Sequence, residues 1–239
     1  GGVITIDLDK GTVDKKNLWS NYKIRSHKIN EDEFKQKLIT SIKKVGSNKQ
    51  KTALFLSGGL DSTCALGILK DTDLDLTAYI CAYGKEGSRY HDHDAFRNES
   101  EMAIQTCKEW NVPYKVVTLK HEYVTHYDRM WLNGTHYPWV DMNRRAPRFA
   151  LCKQASRDGC KVVLTGDSAD ELFTGYQHHD RYYNDEYNKE TIESYASRQK
   201  WIPTKIFSDT DHKNNALWYD LVSTSEQNIL TTDQTAGMW

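Results

Sequence analysis

The sequence predicts an α/β protein: a parallel sheet with helices on both faces, followed by a helical C-terminal segment. Three observations carry this. Short, nearly continuous apolar runs recur at residues 51–56, 76–83, 114–119 and 161–165, and strands that are apolar along their whole length belong to sheets buried on both sides. Helical patterns alternate with these runs, the order that parallel crossover connections produce. Beyond Tyr176 the pattern turns helical and polar, rich in Tyr, Asp and Asn.

The elements follow in order. Residues 1–28 are strand- and turn-like, with a hairpin around Asp9-Lys10-Gly11. A helix comes next: Asn30 suits an N-cap, Glu33 completes a capping box, and Phe34, Leu38, Ile39 and Ile42 supply one apolar face before GSNKQK ends it. A strand over 51–56 leads to a helix over 61–70, a strand over 76–83 to a helix over 95–110, and a third strand covers 114–119. Helical patterns near 122–132 and 145–157 precede the strand at 161–165. No internal repeat or low-complexity tract occurs.

Composition narrows the class. The 239 residues suit one sizeable domain, with or without appendages, and 38% hydrophobic content provides for a core. Acids and bases are interspersed around a net charge of -1, so there is neither a basic stripe for nucleic acid nor a polybasic patch for a membrane. No window approaches the roughly 20 apolar residues of a membrane span, and no charged-then-apolar leader is read, so the expected location is cytoplasmic. The five cysteines, Cys64, Cys81, Cys107, Cys152 and Cys160, are odd in number and form no C-x-x-C pair. They read as small buried hydrophobes in a reducing compartment, indicating neither zinc nor a disulfide framework.

The stretch Leu56-Ser57-Gly58-Gly59-Leu60-Asp61-Ser62 closes the first apolar strand and opens a helix. In sheets of this kind ligands bind beyond the carboxyl ends of the strands. Glycines there let backbone N–H groups approach an anion, a helix N-terminus adds partial positive charge, and Ser57 and Ser62 bring hydroxyls. Asp61 would repel a phosphate unless a cation lay between them, and a shared Mg²⁺ resolves the conflict. A plain Gly-Gly turn with Asp61 as a helix cap is the alternative that spacing alone leaves open. Neither of the common nucleotide loops, Walker A or G-x-G-x-x-G, is present.

S-G-G-L-D-S after an apolar strand resembles the pyrophosphate-binding (PP-loop) signature of the ATP pyrophosphatases, with their adenine nucleotide α-hydrolase-like fold. Its leucine variant resembles the asparagine synthetases. The stretch KVVLTGDSADELFTGY, residues 161–176, resembles that family's second signature, K-x-V-L-S-G-E-G-x-D-E-x-F-G-G-Y, about a hundred residues downstream. AYICAYG resembles the family's second strand, which places Tyr83 where backbone atoms meet adenine, and FRNESEMA resembles D-E-x-x-x-A. The resemblance covers roughly residues 30–239.

This resemblance implies ATP and Mg²⁺ as cofactors. It assigns nucleotide contacts to Leu56, Ser57, Gly58, Gly59, Leu60, Asp61, Ser62, Tyr83, Thr165 and Gly166, metal ligation to Asp61 and Asp170, and catalysis to Asp167 and Glu171. It implies adenylation of a carboxylate, with aspartate the leading substrate, and amide formation with ammonia from glutamine. A related amide or lactam synthetase acting on another carboxylate, or a nucleotide-binding subunit without chemistry, stay open. Residues 1–28 are expected to be the trailing edge of an amidotransferase-like domain or a linker, and residues 29–239 a synthetase domain incomplete at its C-terminal end. A glutaminase domain or partner chain is therefore expected, and a homo-oligomer is left open.

The chain departs from the family in places. Asp167-Ser168-Ala169 replaces Glu-Gly-Ser or Glu-Gly-Ala, and no lysine is assigned to catalysis, Lys153 and Lys161 lying on scaffold elements. His91 and His93 read as a solvated loop, His178-His179 follow the second signature, and Arg144, Arg145 and Arg148 read as surface residues rather than carboxylate binders.

Overall fold

The computed structural model describes residues 2–17, 30–46, 50–83, 94–119, 142–198 and 212–221. The predicted hairpin is present: β1 (Gly2–Asp7) and β2 (Thr12–Asn17) pair antiparallel, with Asp7 opposite Thr12. Asp7 Oδ1 accepts the backbone N–H groups of Asp9 and Lys10, and Gly11 adopts a φ of +64° that completes the turn. Helix α1 (Glu31–Gly46) begins where expected, with Asn30 Oδ1 accepting the Glu33 amide at 3.1 Å. Acids fill its first turn and lysines its last, which suits the helix dipole. Its apolar face is only partly buried, because Ile42 packs on the core while Phe34 stays 42% exposed.

The predicted alternation then appears as β3 (Thr52–Phe55), α2 (Leu60–Leu69), β4 (Leu76–Tyr83), α3 (Asp94–Glu109), β5 (Tyr114–Leu119), α4 (Met142–Arg157) and β6 (Val162–Leu164). The four strands β3 to β6 form one parallel sheet in the order β5-β4-β3-β6. The chain thus moves from β3 outward to β5 and then crosses to the other side of β3. That reversal places the switch point of the sheet between β3 and β6. Helix α4 starts three residues ahead of the predicted 145 and carries Pro147 in its second turn, where the missing N–H forfeits one helical hydrogen bond. The helical pattern near 122–132, together with His91 and His93, lies outside the described residues.

Both faces of the sheet are covered. On one, Leu54, Leu56, Ala78 and Ile80 pack against Leu66 and Leu69 of α2 and Ala103 and Cys107 of α3. On the other, Ala53, Phe55 and Tyr79 meet Leu151 and Ala155 of α4. All of β3 is buried, which is why it reads as an unbroken apolar run. All five cysteines are free; Cys107 is buried, but Cys64 is exposed on the outer side of α2, contrary to the buried reading.

A polar cluster sits at the amino end of this sheet, in the turn between α4 and β6. The Asp158 carboxylate accepts hydrogen bonds from the buried Tyr79 hydroxyl at 2.8 Å and from Gln154, and pairs with Lys115 at 2.7 Å. Lys51 Nζ donates to the Asp158 carbonyl. The Lys115 ammonium holds the Asp158 carboxyl down, at about 2, while burial, Cys160 and Asp158 push the Tyr79 hydroxyl above its ordinary range.

Packing divides the chain into two units, Ile29–Ala169 with Ser225–Trp239, and Gly1–Lys28 with Asp170–Thr224. Described elements of the second include most of the short helix α5 (Ala169–Phe173), a 3₁₀ turn (Gln177–Tyr183), α6 (Asp185–Arg198) and α7 (His212–Asp220). The helical character predicted beyond Tyr176 holds across them. Tyr182, Ala216 and Leu217 form their apolar centre. No described helix is long and apolar enough to cross a membrane.

Candidate functional site

The chain leaves β3 through Leu56, which is buried and donates its amide to the Tyr79 carbonyl. The following turn, Ser57-Gly58-Gly59, carries it into α2. Each glycine has its own reason. Gly58 adopts a φ of +91°, and a β-carbon there would lie 2.2 Å from the Glu99 carbonyl oxygen of α3. Its bare backbone therefore serves close packing within the fold. Gly59 is the N-cap of α2, with ordinary extended angles and no side-chain cap. A β-carbon on it would meet only Ser57 Oγ, at 3.3 Å. The first-turn amides of α2 have no acceptor within their own helix, the feature that suits a helix start to an anion.

The two hydroxyls expected to face an anion are engaged within the loop. Ser57 Oγ and Ser62 Oγ lie 3.0 Å apart, the Ser57 amide donates to Ser62 Oγ, and the Gly59 amide donates to Ser57 Oγ. They shape the turn. Asp61 stands in the first turn of α2, and Leu60 beside it is 83% exposed.

The second signature arrives next to the first because β6 lies alongside β3. Beyond β6 come Thr165 and Gly166, and a β-carbon on Gly166 would sit 2.7 Å from the Ser62 amide nitrogen. Gly166 therefore packs directly on the start of α2. Asp167 follows, exposed as a residue, and its Oδ2 accepts from Arg148 Nη2 of α4 at 2.6 Å, with Arg148 partly buried. Arg148, expected at the surface, is partly buried and engaged with Asp167. Nothing in the spacing linked it to Asp167, 19 residues away; only its place on a helix feeding β6 offered a hint. Ser168 takes a φ of +72°, at the position where the resembled signature has glycine. Tyr83 ends β4 with its backbone in register with Leu119.

Asp170 and Glu171 belong to the other packing unit. The Asp170 carboxylate folds back over Gly175, where a β-carbon would overlap it. Glu171 is 1% exposed; its Oε1 accepts from the Tyr176 hydroxyl at 2.8 Å, and its Oε2 has no partner among the described residues. The buried His179 is placed by its neighbours: the Tyr176 amide donates to Nδ1, so Nε2 carries the proton and donates to Asp220 at 3.1 Å. The Tyr182 hydroxyl donates to the same Asp220 oxygen. This chain of groups ties the second signature to α7, a role the sequence did not reveal for His179.

Among the described residues no group of three or more His, Cys, Asp or Glu side chains is arranged to hold a metal. Asp61 stands at the helix start, and a single carboxylate there is the kind of donor that Mg²⁺ takes together with phosphate oxygens.

The Asparagine synthase family model matches residues 33–236. A Methanocaldococcus jannaschii protein assigned the name asparagine synthetase (glutamine-hydrolysing) 1 is 28% identical over 172 residues, covering 71% of this chain and 30% of that protein. The amidase chyE of Penicillium rubens is 29% identical over 136 residues, 52% of this chain and 19% of that protein. The chain thus spans a third or less of the length of these relatives. Among solved structures, NMN synthetase from Francisella tularensis aligns with a TM-score of 0.41 and 16% identity, over 62% of this chain and 60% of that one.

Proposed function

Because the chain belongs to the asparagine synthase family, we propose that it contributes the ATP-dependent, amide-forming half of such an enzyme. The observation that carries this is the seating of Gly166 on the Ser62 amide, which joins the two signatures at the switch point of the sheet. A carboxylate substrate attacks the α-phosphorus of ATP, and pyrophosphate leaves from residues 57–62. An amine then displaces AMP from the activated acid.

The chain's own groups fall into roles. The first-turn amides of α2 receive the leaving pyrophosphate, where negative charge grows, and Gly59 leaves room for its approach. Asp61 would hold Mg²⁺; the resemblance also assigns Asp170 to it, a residue of the other packing unit. When bound, this ion neutralises charge on the phosphate oxygens. The Tyr83 backbone meets adenine, Asp167 stands beside the reacting groups, and Glu171, buried against Tyr176, anchors the second signature. Aspartate as the acid and ammonia released from glutamine by a glutaminase domain or partner are the leading assignment, in the cytoplasm.

A second reading keeps the chemistry and changes the acid. Asp167, one methylene shorter than the family's glutamate and held by Arg148, favours it. The deciding experiment measures pyrophosphate release from ATP and Mg²⁺ with ammonium and a panel of carboxylates, beside an Asp61→Ala control. Aspartate-dependent release that vanishes in the control supports the leading reading. Release with another acid alone selects the second. A chain that binds ATP but releases nothing with any acid refutes catalysis by this chain on its own.

A further inference from the structure

The reading above places a highly charged phosphate chain against the start of α2, and the following inference rests on it. Gly166 packs on the Ser62 amide there, so Asp167 is held one residue from the same spot. An uncompensated carboxylate at such range repels phosphates, the more strongly where protein lowers the dielectric. Among the described residues Asp167 has one polar partner, Arg148, whose Nη2 lies 2.6 Å from Oδ2, and the two side chains are 18% and 25% exposed. Arg148 is itself fixed, since the next residues of α4, Phe149, Ala150 and Leu151, are all buried.

We propose that Arg148 is a positioning residue that neutralises and orients Asp167 beside the phosphate loop, so that this acid and a nucleotide can occupy the site together. Its work is electrostatic and is exerted through Asp167. Removing Arg148 alone leaves a bare carboxylate at the loop. Removing both charges removes the repulsion with it.

The test is a double-mutant cycle on the affinity for a non-hydrolysable ATP analogue with Mg²⁺, measured by calorimetry on Arg148→Met, Asp167→Asn and the pair together. The expected results are a loss of about tenfold for Arg148→Met, binding at least as tight as wild type for Asp167→Asn, and recovery to within about threefold in the double variant. The Arg148→Met loss should shrink as salt rises from roughly 0.05 to 0.5 M, which a merely structural defect would not do. A double variant as weak as Arg148→Met would overturn the proposal, because Arg148 would then touch the phosphates itself. Unchanged binding by Arg148→Met would overturn it too. If Arg148→Met does not fold, Arg148→Lys keeps the charge and should bind within about threefold of wild type, a loss of tenfold counting against the idea. Wild-type protein that binds no analogue would refute the functional reading and this inference together, whereas the other failures strike the inference alone.

Discussion

Substituting alanine at the two loop glycines should separate folding from ligand approach. At Gly58 the backbone holds φ at +91°, a conformation costing a residue with a β-carbon about 1–3 kcal/mol. The new carbon would also lie 2.2 Å from the Glu99 carbonyl oxygen and 3.0 Å from its carbon. Both are backbone atoms, so α3 itself must retreat, which adds about 1–3 kcal/mol of overpacking. The sum centres on about 4 kcal/mol, a large part of the roughly 5–15 kcal/mol that holds a typical domain folded. At Gly59 the angles are ordinary and the nearest atom is a serine hydroxyl at 3.3 Å, so Gly59→Ala should cost at most about 1 kcal/mol. Thermal melts followed by circular dichroism should show Gly58→Ala lowered by roughly 8–16 °C, with Gly59→Ala near wild type but weaker for ATP. Equal melting of the two variants, or a wild-type melt for Gly58→Ala, would refute the assignment of Gly58 to packing.

Other outcomes follow from particular groups. Asp158, held at about 2 by Lys115, adds stability that is complete above its ordinary value near 4 and is lost as pH falls towards 2. Lys115 is half exposed, so the contribution is about 1 kcal/mol after screening, and Asp158→Asn should flatten the acid limb of a stability-against-pH curve. Tyr79 runs the other way: its raised hydroxyl favours the protonated folded form, so stability should decline as pH climbs above about 10. Ser168→Gly should gain about 1 kcal/mol in urea unfolding, because it relieves a φ of +72°. His179→Ala should cost about 3 kcal/mol in the same assay, since it opens a cavity and strips a partner from buried Asp220. Alkylation at pH 8 followed by mass spectrometry should find exposed Cys64 labelled well before Cys81 and Cys107, whose thiols burial pushes up to about 12 and about 11.

Much of this architecture was legible in the sequence. The runs at 51–56, 76–83, 114–119 and 161–165 became β3 to β6; central β3, buried along its length, must be apolar throughout, while edge strands β5 and β6 leave Val116 and Val163 exposed. The Asn30 cap was legible for a similar reason: a first-turn amide needs a nearby acceptor, and few side chains reach it. Contacts set by tertiary approach were not. That Gly58 makes way for a carbonyl of α3, or that Arg148 reaches Asp167, depends on how helices settle on the sheet, and local periodicity does not encode it. Phe34 and Cys64 erred for a related reason, since an apolar residue on a helix is buried only if a neighbour covers that turn. His179 was hidden because its partner Asp220 lies 41 residues further on.

The Asp158 cluster has a bearing on how this chain can change over time. Lys51, Tyr79, Lys115 and Gln154 converge on one residue at the amino ends of the strands, while both signature turns depart from the opposite ends. Selection for survival at higher temperature and selection for a different acid would therefore act on residue sets with no member in common. Distant, unshared sites tend to add rather than interfere. Gains in robustness around Asp158 can accumulate first and then sustain costly experiments around Arg148 and Asp167.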